Sequence, residues 1–326
     1  PTTGLHPRDT AELVTLLWSL RDRGNTVVVV EHDPAVIVAA DHVIELGPGA
    51  GAEGGQIVAA GAPAALIADS ASLTGPYLSA RRRTAPPRRP LRPGVRVRGA
   101  RANNLRGLDV ELPACGLVAV TGVSGSGKST LVFDVLAASL AHLPNVQAVG
   151  CDGVDLAEPF TAILAAGLGG LAPSPHSSPG SLTGVLDHLR AALARTPEAR
   201  QAGLKPGQFS TSVPGGRCET CEGLGQVRVS MDFLADVWVR CERCQGARFR
   251  PEVLACRLRG RTIVELLDAP LAGVGALFAD EPGVAAPLTL LGELGLGYLH
   301  LGQPVTTLSG GERQRLELGL ELLAPG

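Results

Sequence analysis

An α/β fold built around a phosphate-binding turn is predicted by three observations. Thr121–Thr130 reads TGVSGSGKST and fits G-x-x-x-x-G-K-[ST], with Gly122, Gly127, Lys128 and Ser129 at the fixed places. A short apolar run, Leu117–Val120, leads in. A helical pattern carrying Leu131, Val132, Phe133, Val135, Leu136 and Leu140 leads out. Strand, loop and helix in that order are the context such a turn requires.

The residue types fit the chemistry of an ATP phosphate chain. Glycines at Gly122, Gly125 and Gly127 let the backbone wrap an anion, because only glycine takes the needed torsions cheaply. Ser124, Ser126 and Thr130 complete the turn, and successive N–H groups then face the phosphates at a helix N-terminus. Lys128 is expected on β/γ oxygens and the Ser129 hydroxyl on Mg²⁺. Of the 29 basic residues only Lys128 and Lys205 are lysine, so a lysine inside this turn is telling.

Bulk properties narrow the classes. At 326 residues the chain has room for about two domains. Its 45% hydrophobic content allows a large core. No apolar run reaches the roughly 18 residues of a membrane span, and no signal-peptide pattern is present, so a cytoplasmic protein without a membrane partner is expected. The net charge of −2 gives no overall pull toward nucleic acid. The chain opens on Pro1 within a motif, which points to a fragment.

Before the turn, PTTGLH leads into an amphipathic stretch through Leu20. Val27–Val30 reads as a short buried strand ending in Glu31-His32-Asp33. His32 fits either a γ-phosphate contact or a plain polar strand end. Val43–Leu46 and Ile57–Gly61 read as strands around a glycine-rich turn. Arg81–Arg98 carries four prolines and eight arginines, and favours a solvated linker over a phosphate-contacting arm. A new domain is expected near Val95, with a strand at Leu108–Leu112. After the turn, a possible strand at Phe160–Leu164 and an amphipathic helix at Leu182–Leu193 stand out.

Two C-x-x-C pairs, Cys218/Cys221 and Cys241/Cys244, lie 19 residues apart. In a chain without a secretion signal this spacing predicts a four-thiolate Zn²⁺ site, each pair giving two corners of a tetrahedron. Alternating Val227, Val229, Met231 and Phe233 place a β-hairpin over Gln226–Val239. Cys115, Cys151 and Cys256 lack ligand spacing and read as small buried hydrophobes. Arg217 and Arg228 belong to an arginine cluster around the knuckles and are the candidate DNA contacts, although Glu219, Glu222 and Glu242 dilute the charge.

Near the end Leu308–Arg315 reads LSGGERQR, the ABC-ATPase signature. Ser309, Gly310, Gly311 and Glu312 open a helix whose N-terminus would cap a γ-phosphate from the side opposite a phosphate loop. The expected fold is therefore α/β, with ABC-type P-loop ATPase lobes and an inserted signature/zinc-binding subdomain. Asp280-Glu281-Pro282 imitates a Walker B ending, but it precedes the signature and lacks an apolar strand, so it reads as a loop.

Together these pieces resemble the UvrA family, the damage-recognition ATPases of bacterial nucleotide excision repair. The resemblance is carried by GLHPRD, VVVEHD, DHVIELGPGAG, EGGQIVAAG, ANNLRGLDVELP, TGVSGSGKST, FSTSVPGGRCETCEG, CERCQGARF and GLGYLHLGQPVTTLSGGERQR. It implies that 1–80 is the C-terminal part of a first ATPase lobe, with 81–94 a linker and 95–150 the phosphate-loop part of a second lobe. It makes 151–300 an inserted region with the zinc module at about 210–250, and 301–326 the signature helix. It also implies ATP, Mg²⁺ and Zn²⁺ as cofactors, His32 as the catalytic switch histidine, and ATP-gated binding of damaged double-stranded DNA. A UvrB-like partner, homodimerisation of the full-length protein and service in an excision nuclease complex follow from the same resemblance.

ABC sites are composite, so the resemblance puts Lys128 and Ser309 in different nucleotide sites, with His32 in the latter. Both Walker B glutamates lie outside the sequence, and the chain alone is expected to bind nucleotide weakly without turning it over. The sequence also departs from the family. No glutamine occurs between Gln147 and Gln201, where a Mg²⁺-contacting one is usual; RSNPATYTG becomes HSSPGSLTG at His176–Gly184; Pro214 replaces a basic residue. These departures keep open a UvrA-like drug self-resistance protein or a non-hydrolysing DNA-binding scaffold. A translation-type or transport-type ATPase is disfavoured by the four cysteines.

Overall fold

The computed structural model describes residues 2, 4–79, 90–163, 174, 176–229 and 237–324. The chain divides into two compact units, Pro1–Ala165 and Ala166–Pro325.

In the first unit, the amphipathic stretch becomes the helix Pro7–Asp22. His6 caps it, its Nδ1 accepting from the Arg8 N–H, and Pro7 supplies a pre-set φ at the first turn. Trp18 Nε1 donates to the Ala39 carbonyl, and Arg21 pairs with Asp41, which ties this helix to the short helix Pro34–Ala39. The two expected strands form as β1 (Val43–Gly47) and β2 (Gln56–Gly61), and they pair antiparallel. Glu45 is buried at its base. Its carboxylate accepts from Ser72 Oγ, Thr74 N and Thr74 Oγ1 at 2.6–2.8 Å. Burial raises the Glu45 pKa, but these donors outweigh it and hold the group below its ordinary value.

The sheet beneath the phosphate loop consists of β3 (Arg92–Ala100), β4 (Leu108–Ala114) and β5 (Gly153–Leu156), ordered β4-β3-β5 and antiparallel throughout. Its core face, Val95, Val97 and Ala100, packs with Leu131, Val135 and Leu140 from the helix behind the loop. That helix is wound as a π-helix over Thr130–Ala137 and as an α-helix over Ala138–Leu140. Leu131 and Val135 nevertheless share its buried side.

Several expectations are corrected here. Val27–Val30 and Leu117–Val120 belong to no strand or helix and pair with no strand among the described residues. Val28, Val30 and Leu117 are 86%, 94% and 101% exposed. An apolar run announces a buried strand, but a ladder needs a partner, and periodicity does not name one. The linker expected over 81–94 ends early, because β3 starts at Arg92, and Pro93-Gly94 falls at a register break that tolerates proline. Residues 80–89 lie outside the described residues. The boundary expected at 150 falls short, because β5 pairs with β3. Phe160–Ile163 is not a strand, and Leu164 lies outside the described residues. Cys115 is exposed on the turn that ends β4, and Cys151 is half-buried; only Cys256 of the three is buried.

The second unit is helical around one core, which includes Leu189, Leu193, Phe209, Phe249, Phe278, Leu288, Leu291 and Leu316. The helix expected over Leu182–Leu193 splits into Pro179–Leu182 and Val185–Leu193. Gly184 sits between them at φ +76°, a left-handed torsion that interrupts the helix and that glycine alone adopts freely. Ser178 closes a capping box with Ser181. The Gly180 N–H donates to Leu301 O and the Val305 N–H to Ser177 O, so the HSSPGSLTG segment fastens the lead-in to the signature. The zinc-module hairpin forms as β6 (Gln226–Val229) against β7 (Val237–Arg240). Met231 and Phe233 lie outside the described residues.

Asp280 falls on a turn, as expected, and both it and Glu281 are ion-paired. Arg259 holds Asp280 through both guanidinium Nη atoms at 2.6 and 2.8 Å and Glu281 at 2.9 Å. The same guanidinium lies over the Phe278 ring at 4.6 Å. Its bonds hold the Asp280 carboxyl below its ordinary pKa. No helix among the described residues is long and apolar enough to cross a membrane.

Candidate functional site

The phosphate loop sits between β4 and its helix, with Ser124, Gly125, Ser126 and Ser129 exposed. Gly122, Gly125 and Gly127 all have positive φ. At Gly127, φ is +98°, and a Cβ would press on Asn104 Oδ1 and Leu105 Cδ2 at 2.9 Å. Lys128 folds over the turn, its Nζ donating to the Gly122 and Val123 carbonyls at 2.8 and 2.9 Å. Its ammonium is thus held at the loop's centre by two neutral acceptors, which an anion can supplement.

Three supports of this loop escaped the motif. Asn104 Nδ2 donates to the Gly125 carbonyl at 2.8 Å. Asn103 Nδ2 reaches Thr130 Oγ1 and Asp134 Oδ2, both at 3.2 Å. Asp9, in the first turn of the Pro7–Asp22 helix, accepts the Ser124 N–H at 3.3 Å. The strings ANNLRGLDVELP and GLHPRD contain these residues, but no spacing rule links them to a loop up to 115 positions away. His32 is exposed, and its own N–H donates to Glu31 Oε2 at 3.2 Å.

The signature forms a reciprocal cap. Ser309 is the N-cap of the helix Gly310–Leu323, and its Oγ accepts the Glu312 N–H at 3.3 Å while Glu312 Oε2 accepts the Ser309 N–H at 2.7 Å. The Ser309 hydroxyl hydrogen stays available to an anion. Ser309, Gly310 and Gly311 are exposed, and no heavy atom lies within 4 Å of where a Cβ on either glycine would stand. Backbone N–H groups at this helix start can therefore meet a phosphate closely.

The four knuckle cysteines converge. Their sulfurs all lie within 4.8 Å of one another. Cys218–Cys241 and Cys221–Cys244 are 3.9 and 3.7 Å apart. A tetrahedral zinc with Zn–S of about 2.3 Å spaces its sulfurs by about 3.8 Å. A disulfide would need about 2.05 Å. Both knuckles are closed by short backbone bonds, including Gly223 N to Cys218 O, Leu224 N to Cys221 O and Ala247 N to Cys244 O. They are also crossed to each other, through Cys218 N to Arg248 O and Cys241 N to Gly225 O. The Gly225 N–H donates to Cys221 Sγ at 3.2 Å, a bond that suits a thiolate. Burial pushes the Cys221 thiol up to about 12 and raises Cys244, whereas at Cys218 burial is outweighed by backbone hydrogen bonds at Cys221 and Thr220, which bring it down to about 7. The donor set fits zinc.

The two arginines differ. Arg217 is mostly buried, and its guanidinium donates to Glu219, Ser212 O and Glu222 O within the knuckle. Those bonds brace the knuckle. Arg228 is exposed on β6, opposite Trp238 on β7.

Comparison with known proteins agrees with the motifs. No protein-family model matches the chain. UvrABC system protein A of Methanothermobacter thermautotrophicus is 46% identical over 99% of this chain and 34% of its own length. That of Aquifex aeolicus is 43% identical over 99% of this chain and 35% of its own. The crystal structure of UvrA2 from Deinococcus radiodurans superposes with a TM-score of 0.89 at 42% identity, covering 99% of this chain and 39% of that one. The chain thus spans about a third of the length of the curated relatives it matches, and its resemblance to UvrA holds in both sequence and fold.

Proposed function

We propose that this chain, a segment of a UvrA-family protein, supplies a phosphate loop, a signature and a zinc knuckle to the damage-recognition subunit of nucleotide excision repair. The observation that carries this is the second unit. It places a four-sulfur cluster and a capped, open signature helix in one compact body, downstream of a phosphate loop.

On this reading Lys128 and the loop amides bind the ATP phosphates, and Ser129 holds Mg²⁺. Ser309, Gly310 and Gly311 cap a phosphate presented by a different loop, at the site His32 would also serve. Composite sites of that kind make nucleotide state a switch for DNA affinity, dimerisation and handover to a UvrB-like partner. Cys218, Cys221, Cys241 and Cys244 hold zinc, which supplies a structural cross-link. The work is cytoplasmic, on damaged double-stranded DNA, with Arg228 at the contact surface. Residues 1–326 alone bind nucleotide without turning it over, because no Walker B glutamate is among them. The homologues favour this repair role over drug self-resistance or an inert scaffold.

The test is a DNA-release assay on the complete protein carrying this segment, with a fluorescent lesion-bearing duplex and ATP. Lys128→Ala is expected to abolish ATP-dependent release while zinc content stays unchanged. Release that still responds to ATP at the wild-type rate would count against the proposal.

A further inference from the structure

The signature's Glu312 is a liability for a phosphate cap, because a carboxylate in the first turn repels the anion that the helix N-terminus attracts. In the structure this carboxylate is fully engaged. Oε2 accepts the Ser309 N–H at 2.7 Å, and Oε1 accepts the Tyr298 hydroxyl at 2.5 Å. Tyr298 is half-buried on the loop after the helix Pro282–Glu293. Both flanks of that residue are pinned: Ala272 N donates to Gly297 O at 3.0 Å, and Leu271 N donates to Leu299 O at 2.8 Å. Leu296 and Leu299 are buried on either side. Arg315, one turn along the signature helix, clamps the start of the same loop by donating to the Leu294 and Gly295 carbonyls at 3.1 and 3.3 Å. The loop is thus fastened on both sides, and its phenol donates to the cap's carboxylate, beside the Arg315 cation that also acts on Glu312.

We propose that Tyr298 is a positioning residue of the signature: by holding Glu312 on the Ser309 N–H, it keeps the carboxylate away from an arriving phosphate and fixes Ser309, Gly310 and Gly311 to receive it. A capping box alone does not secure this. Its glutamate is free to leave for solvent, and a second bond from a pinned donor removes that freedom. The phenol also spreads the carboxylate's charge through a charge-assisted bond.

This rests on the phosphate-cap role of Ser309–Gly311, so the experiment separates the two. In the 326-residue chain, amide exchange at Ser309 and the Glu312 carboxyl titration are followed by NMR for wild type, Tyr298→Phe, Glu312→Gln and the double variant. Tyr298→Phe keeps the ring and removes only the hydroxyl. It is expected to speed Ser309 exchange about fivefold, the effect of one hydrogen bond, and to move the Glu312 titration up. Glu312→Gln should leave no further effect for Tyr298→Phe to add. An unchanged Ser309 rate, or an undiminished Tyr298 effect in the Glu312→Gln background, would overturn the brace. In the complete protein, Tyr298→Phe is expected to raise KM for ATP severalfold with kcat little changed, and more at low salt. Faster Ser309 exchange with an unchanged KM would leave Tyr298 a mere support of the fold and sink the positioning role. Absence of ATP turnover in the wild-type complete protein would instead count against the proposed function, with the brace still judged by exchange.

Discussion

The four knuckle sulfurs come from Cys218–Cys244 and meet within 4.8 Å, with every turn that aims them closed by its own backbone bonds. The phosphate loop is built otherwise. Its lead-in, Leu117–Val120, is exposed and unladdered among the described residues, its lysine rests on its own carbonyls, and its braces are Asp9, Asn103 and Asn104. A metal site can be complete within one local segment because four donors saturate the ion. A phosphate chain has more oxygens than one loop can cover, so its site draws on distant residues. The first region should therefore answer to removal of one atom type, and the second to changes in its surroundings.

The largest expected effect follows from that contrast. Cys241→Ser, or prolonged chelation, should take zinc content from one per chain to none and unfold the knuckle, since structural zinc contributes about 10–16 kcal/mol in small modules. Metal analysis with circular dichroism measures this, and a fold indifferent to the loss of all four cysteines would break the contrast. Next, Lys128→Ala should weaken binding of a fluorescent ATP analogue about 10- to 100-fold, the scale of a lost charge-assisted bond, without touching zinc content. Smaller again, Glu45→Gln should cost the first unit about 1–2 kcal/mol in urea unfolding and leave the knuckle intact. The Glu45 pKa is lowered by folding, so its contribution is present above about pH 4.3 and fades as pH falls below it. The Glu45→Gln deficit should shrink over that acid range, and a deficit that grows there would contradict the assignment. Smallest, Arg228→Ala in the complete protein should reduce the salt slope of DNA binding by about one. Arg217→Ala should instead lower knuckle stability with that slope unchanged.

Much of this was legible in the chain. The helix Pro7–Asp22, the hairpins β1–β2 and β6–β7, and the strand β4 follow from local periodicity and turn residues. The knuckle was legible for the same reason: its ligands announce themselves by spacing. Val27–Val30 and Leu117–Val120 misled because an apolar run reports a wish for burial without saying against what. Leu182–Leu193 misled because the apolar pattern runs across Gly184 while the backbone turns there. Tyr298 was hidden in plain sight within GLGYLHLGQ: one sequence cannot show that a phenol 14 residues upstream reaches the signature glutamate. The charge of Arg217 is visible in the sequence, whereas its internal acceptors, the Ser212 and Glu222 carbonyls, are not.

On the proposed reading the phosphate loop is one half of a composite site. ATP turnover by the purified 326-residue chain, measured beside its Lys128→Ala variant, tests it most directly. No phosphate release above the variant's background is expected. Lys128-dependent hydrolysis by this chain alone would contradict it.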